Sequence, residues 1–303
     1  MLLKRIGLLL LMAAVVFLSR HYYLKAQTSH KSIDNIHYLN AIESFILTSQ
    51  KTRGLTNSYL NGNLSAQLLV YGQRDKMAQA IKDMETYQDK SLLHVIQQKQ
   101  LVLEILQLNK TAFKEDPKTV FSHYTKIIDG AINFGQKLEE KMVQNDTRYK
   151  AISTITFPLI ENIAKLRGLG SGCVAHGNST QVENKKLLSF IMQINKLQYS
   201  MGRNSVNSPA EKEAMEDIVY SIQRYVQLSQ DEVINRNAIT IGADFYFDQG
   251  TAVIDTIVKY LDGKQAEKIS SLNHQSNKDS TIALALIAVF IIPLVFIARW
   301  LGV

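Results

Sequence analysis

One cysteine, Cys173, is all the thiol chemistry this chain offers, so an intrachain disulfide framework is excluded. No CxxC or CxxCH pattern occurs, and zinc-ribbon and haem-attachment readings lose their ligands. Proline is scarce, with 4 residues among 303, and glycine reaches only 15. Between these few breakers, Leu, Ile, Ala, Gln, Lys and Glu recur at three- and four-residue spacing, which predicts an all-α protein. Charge of one sign is also missing as a patch. The formal net charge of +7 is spread over Lys and Arg residues that alternate with Asp, Glu and Gln, so nucleic acid is not an expected partner.

The long apolar runs lie at the two ends. Lys4 and Arg5 precede an uncharged stretch at residues 6–18, short of the roughly 20 residues a span needs unless its flanks extend it. Snorkelling of Lys4 and Arg5 on one side and Tyr22 with Tyr23 on the other can do so, and Ser19-Arg20-His21-Tyr22-Tyr23 offers no small-x-small cleavage site. A retained anchor at residues 1–23 is the reading, with a cleaved signal peptide as its alternative. Residues 281–298 carry no charge and end at Arg299-Trp300, an interfacial pair, so residues 278–303 are expected to form a second span. Basic residues outside each run place both termini in the cytoplasm and the central part beyond the inner membrane, in the periplasm. Three residues follow Trp300, so the expected signal passes to a separate protein.

Within the body, Ile33, Ile36, Leu39, Ile42, Phe45 and Ile46 lead at helical spacing into Arg53-Gly54, and Asn61-Gly62-Asn63 ends that helix. Further helices are expected at residues 64–89, at 92–113, and from Asp116-Pro117 to about residue 146. Then the pattern restarts. Ile152, Ile155, Leu159, Ile160 and Ile163 lead to Arg167-Gly168, with a break at Ala175-His176-Gly177-Asn178, followed by helices at 181–201, 209–235 and 243–272. The two Arg-Gly-Leu segments lie 114 residues apart. The expected architecture is therefore two tandem four-helix bundles in pseudo-repeat, at residues 24–150 and 151–277, flanked by two transmembrane helices. A last helix free of proline up to the C-terminal run supplies a mechanical link to the membrane.

Three segments in order, Gln50-Lys51-Thr52-Arg53-Gly54-Leu55-Thr56, Lys165-Leu166-Arg167-Gly168-Leu169-Gly170-Ser171, and the aromatic and Ile-Asp stretch from Phe245 through Thr251 to Asp255, resemble the nitrate- and nitrite-sensing (NIT) domain family. Thr52 stands where the family usually has Glu. The resemblance implies a double four-helix bundle that binds nitrate or nitrite through Arg53 and Arg167. The chemistry is apt. Nitrate is a planar, weakly hydrated monoanion, and the guanidinium is a planar fork of donors. Gly54 and Gly168 allow a facing helix to approach, and Thr56, Ser58 and Ser171 carry neutral hydroxyl donors.

The expected function is a membrane-anchored sensor, acting as a homodimer, that passes anion binding through its last helix. The alternative is a structural or accessory membrane protein in which each arginine pairs with a nearby acid such as Glu43 or Glu161. Unpaired buried arginines would favour the sensor, and carboxylate-paired ones the accessory protein. Cys173 with His176 is too few ligands for a metal and reads as packing beside a loop. His30 and His37 read as solvated, Phe245, Tyr246 and Phe247 as a core cluster, and Glu139-Glu140 as an exposed face. No catalytic constellation is present in the pattern, so neither an enzyme nor a cofactor is expected.

Overall fold

The computed structural model describes residues 2–87, 92–142, 147–204 and 208–300. The expected helix ends at residues 89 and 146, the 301–303 tail and the side chains of Lys4, Arg5 and Trp300 lie outside the described residues. Those described are helices joined by short turns, with no strand among them. In chain order the helices are α1 (Leu2–Leu60), α2 (Ala66–Thr86), α3 (Leu92–Thr111), α4 (Pro117–Met142), α5 (Thr147–His176), α6 (Gln181–Asn204), α7 (Pro209–Ser229), α8 (Ala243–Leu286) and α9 (Ile292–Trp300).

The chain divides into two compact units. The larger, Tyr38–Asp262, holds both arginine motifs. Its helices begin and stop where local chemistry dictates. The Asp116 carboxylate accepts from the Lys118 and Thr119 amides (3.1 and 2.8 Å), and Ser208 accepts from the Glu211 amide (3.2 Å) with Pro209 in the first turn. Ser208→Ala should lower stability by about 1 kcal/mol in chemical denaturation, the usual cost of a lost hydroxyl cap. At the other ends, α1 and α5 stop at glycines with positive φ, Gly62 at 113° and Gly177 at 83°. The two turns are 115 residues apart, within one residue of the motif offset.

Burial then sorts the helix faces. In α2 the buried positions are Ala66, Val70, Gln73, Met77, Ala80 and Met84, a single stripe at alternating spacings of four and three. One hydrophobic cluster joins α1 to α4 through residues such as Ile42, Phe45, Met77, Ile105, Ile128 and Leu138. A second joins α5 to α8 through Leu159, Ile163, Leu187, Ile194, Ile222 and Ile257. Pro158 sits inside α5, and its carbonyl accepts a hydrogen bond from the Asn162 side chain at 2.8 Å.

The smaller unit comprises residues 1–37 and 263–303. Its helical segments pair antiparallel, with Ser19 Oγ donating to the Ala283 carbonyl (3.1 Å) and Ser276 Oγ to the Ala26 carbonyl (3.3 Å). Small and hydroxyl-bearing residues at such a seam let backbones approach, as in helix pairs that face lipid. Among the described residues one helix is long and apolar enough to cross a membrane, Ala243–Ile297. That finding concerns the C-terminal run. A π turn at Ile287–Ile291 leads into α9 just before Pro293, whose missing amide a regular helix would have needed.

Candidate anion-binding site

The two motif helices, α1 and α5, meet at their glycines. A Cβ on Gly54 would stand 3.3 Å from Gly168 Cα and 2.7 Å from the Phe247 ring; one on Gly168 would stand 3.2 Å from Gly54 Cα and 3.0 Å from the Phe121 ring. The Asn57 side chain amide, one turn on from Gly54, donates to the Gly168 carbonyl at 2.8 Å. Backbone cannot yield as a side-chain tip can. Gly168→Ala should therefore cost about 1 to 3 kcal/mol by overpacking, read as a lower denaturation midpoint at unchanged slope.

This crossing carries both arginines into the interior, where Arg53 is 0% and Arg167 2% exposed. Their surroundings differ. Arg53 Nη1 donates to Glu161 Oε1 at 2.6 Å and Nη2 to Oε2 at 3.2 Å, and Nη1 also reaches the Thr125 hydroxyl at 3.0 Å. Its guanidinium lies 5.0 Å from the Phe121 ring centre. Glu161 further accepts from Gln50 (2.8 Å) and pairs with Lys165 (3.3 Å), which in turn meets Asp129 at 3.1 Å. The charges of Arg53 and Lys165 are thus balanced by two carboxylates.

Arg167 has no such balance. Its Nη1 donates to the Thr251 hydroxyl at 2.9 Å, and its guanidinium stacks 4.5 Å from the centre of the Phe247 ring. No carboxylate pairs with it among the described residues. Burial, opposed by Tyr225, Asp255 and Glu161 and aided by the nearby Arg53, lowers its pKa to about 10, so it stays protonated at neutral pH. Thr251 is itself fully engaged, donating to the Phe247 carbonyl at 2.9 Å while it accepts from Arg167. The Nε–H groups of both arginines are buried without a hydrogen-bond partner. Lys51, half-buried on the same helix as Arg53, has its pKa lowered by burial and by the field of Arg167. The site therefore has an excess of buried positive charge, which an unaccompanied chain finds costly and an anion relieves.

The remaining sequence-predicted residues fall into place around this charge. Gly54 and Gly168 make the crossing. Thr56 is buried with its hydroxyl toward Tyr124, and Ser171 Oγ donates to the Gly168 carbonyl of its own helix at 3.2 Å, so its hydrogen serves the helix. The acid-pairing expectation applies to Arg53, with Glu161 as the acid, and not to Arg167. Cys173 is buried, its thiol pushed up to about 12 by desolvation. Phe245 is 51% exposed whereas Tyr246 and Phe247 are buried, so the aromatic triplet is split between surface and interior. The expected exposed pair is also split: Glu140 faces solvent, but Glu139 packs inside because its position continues the buried stripe through Leu138. Thr251 and Phe247 lie in the aromatic and Ile-Asp segment, yet the Thr251 contact with Arg167 spans 84 residues of sequence and carries no local signal.

Fold and sequence together define an all-helical module built around two buried arginines. A solved structure, that of the NasR transcription antiterminator, superposes with a TM-score of 0.59 over 90% of this chain and 83% of that one, at 12% identity, which is a likeness of fold. No curated protein matches the chain. Residues 45–268 match the family described as nitrate and nitrite sensing, and the chain belongs to that NIT family. Membership indicates nitrate or nitrite sensing, a signalling role and not a catalytic one.

Proposed function

We propose that nitrate or nitrite is held between Arg53 and Arg167, with Arg167 as the principal charge and the two free Nε–H groups as donors. The observation that carries this is the buried Arg167 guanidinium, which among the described residues hydrogen-bonds the Thr251 hydroxyl and stacks on the Phe247 ring but pairs with no carboxylate. A planar monoanion returns to such a group the charge-assisted hydrogen bonds lost on burial. Thr56 and Ser171 then act as neighbours that shape the pocket. The test is calorimetric titration of the full chain in detergent with nitrate, nitrite and chloride. Saturable nitrate or nitrite binding supports the reading, and none in a folded helical sample overturns it. Because Arg167, with a pKa of about 10, holds its proton, nitrate affinity should be flat from about pH 6 to 9. A steep fall across that range would point to a lysine or histidine as the anion's partner instead.

The wider reading is a two-pass inner-membrane receptor whose periplasmic residues 24–277 form tandem four-helix bundles, acting as a homodimer. Support comes from the two hydrophobic clusters and from the apolar helix Ala243–Ile297. Helix α8 bears Phe247 and Thr251 and continues as one helix to Leu286, so a shift at Arg167 enters the element that leads to the C-terminal run. Coupling of about 1 to 3 kcal/mol to an output protein is the scale expected. The second reading, an accessory membrane protein without ligand, is favoured by the Arg53 to Glu161 pair alone. The same titration separates the two.

A further inference from the structure

Beside the arginine crossing lies a cavity of about 380 Å³, in the size range of small-molecule pockets, that the anion reading does not use. Its walls come from the end of α1, the start of α4, the second half of α5 and the start of α6. Phe121, Leu169 and Phe190 give it an apolar body. Lys118, Lys165 and Lys186 stand around it with two acids, Asp116 and Glu183. Both acids are committed elsewhere. Asp116 caps α4, and Glu183 accepts from the Thr180 amide and hydroxyl at 2.8 and 2.7 Å to cap α6. Lys165 is shared between Glu161 and Asp129, whereas Lys118, which feels only the field of Asp116, and Lys186 form no ion pair among the described residues. An apolar chamber with two uncommitted ammonium groups suits an amphiphilic anion, larger than nitrate and carrying its charge at one end.

Three of the wall residues also touch the Arg53–Glu161 ion pair. Phe121 lies against the Arg53 guanidinium, Thr125 accepts from Arg53, and Lys165 pairs with Glu161. We propose that this cavity is a second, coupled binding site, for a small organic carboxylate with an aromatic or aliphatic body. The carboxylate meets Lys186 or Lys118, the body packs on Phe121, Leu169 and Phe190, and occupancy shifts the wall that holds Arg53 and Glu161. The ligand thereby tunes the anion site without entering it.

The test is calorimetry on the full chain in detergent with benzoate as the probe and benzamide as its neutral counterpart. Benzoate should bind saturably, at least tenfold tighter than benzamide, and should change nitrate affinity about fivefold or more, the lower end of usual two-site coupling. Lys186→Gln should weaken benzoate about tenfold; Lys186 is exposed, so this variant folds whether or not the proposal holds. Leu169→Trp, which fills the chamber, should remove benzoate binding, and Arg167→Met should keep it. The proposal is overturned by silence toward benzoate, by loss of benzoate binding in Arg167→Met, by indifference to Lys186→Gln, or by nitrate affinity that benzoate leaves unchanged.

Discussion

Arg167→Met should abolish saturable nitrate binding and leave the ligand-free protein as stable as before, or more stable by about 1 to 4 kcal/mol. The two halves of this expectation have one cause. Arg167 is 2% exposed, and among the described residues its only hydrogen bond to another side chain is to the neutral Thr251 hydroxyl. It has therefore given up hydration with no carboxylate hydrogen-bonded to it among the described residues, Asp255 and Glu161 reaching it only through their fields. Methionine replaces the arginine stem as far as Nε, keeps a flexible apolar group beside the Phe247 ring, and brings no charge to desolvate. For the anion, loss of one charge-assisted partner costs about 1.5 to 3 kcal/mol, some 10- to 150-fold in affinity, before the loss of the site's net positive field is added. Calorimetry and urea denaturation, each with and without nitrate, check both halves. A ligand-free variant destabilised by more than about 3 kcal/mol would show that Arg167 has an internal partner and serves the fold.

Glu161→Gln should act in the opposite sense, lowering stability by about 3 to 5 kcal/mol without nitrate and by much less with it. Glu161 accepts from Arg53 Nη1 and Nη2 and from the Gln50 amide, and pairs with Lys165. Removing its charge while retaining its shape leaves the fully buried Arg53 uncompensated and Lys165 with Asp129 alone. Two buried guanidiniums would then share one small-residue crossing. An anion bound there becomes more valuable, so nitrate should bind the variant more tightly than the parent. At a concentration about 100 times Kd, any ligand of the folded state alone adds roughly 2.7 kcal/mol, enough to restore most of the loss. Denaturation in a nitrate series reads this directly. A drop of under 1 kcal/mol, or a smaller nitrate response than in the parent, would remove Glu161 from the charge balance of the site.

These two substitutions separate roles that looked identical in the sequence. Both arginines precede Gly-Leu, both follow an apolar helix face, and both sit among small residues. Yet one is held by a carboxylate and the other by a hydroxyl and a ring. The accessory-protein alternative rested on paired arginines and the sensor on unpaired ones, and the protein contains one of each. A single uncompensated charge is what a monoanion needs, so the inequality of the two arginines is itself consistent with sensing.

Much of the helical layout follows from local rules that operate within a few residues. Asp116 and Ser208 start helices because their side chains satisfy amides two or three positions on, and Gly62 and Gly177 end them because only glycine tolerates those φ angles cheaply. The stripe of α2 and the buried run into Arg53 are read from a 3.6-residue period. The Arg-Gly-Leu echo and the family to which it points are likewise properties of the chain as written. Periodicity reports which face turns inward and is silent on what it meets there. That Glu161 reaches Arg53 across 108 positions, that Thr251 and Phe247 enclose Arg167, and that Glu139 lies inside were settled only when the helices packed. Charge compensation in a helical core is a contact between helices, and its partner is chosen by crossing geometry, here the backbone approach of Gly54 to Gly168.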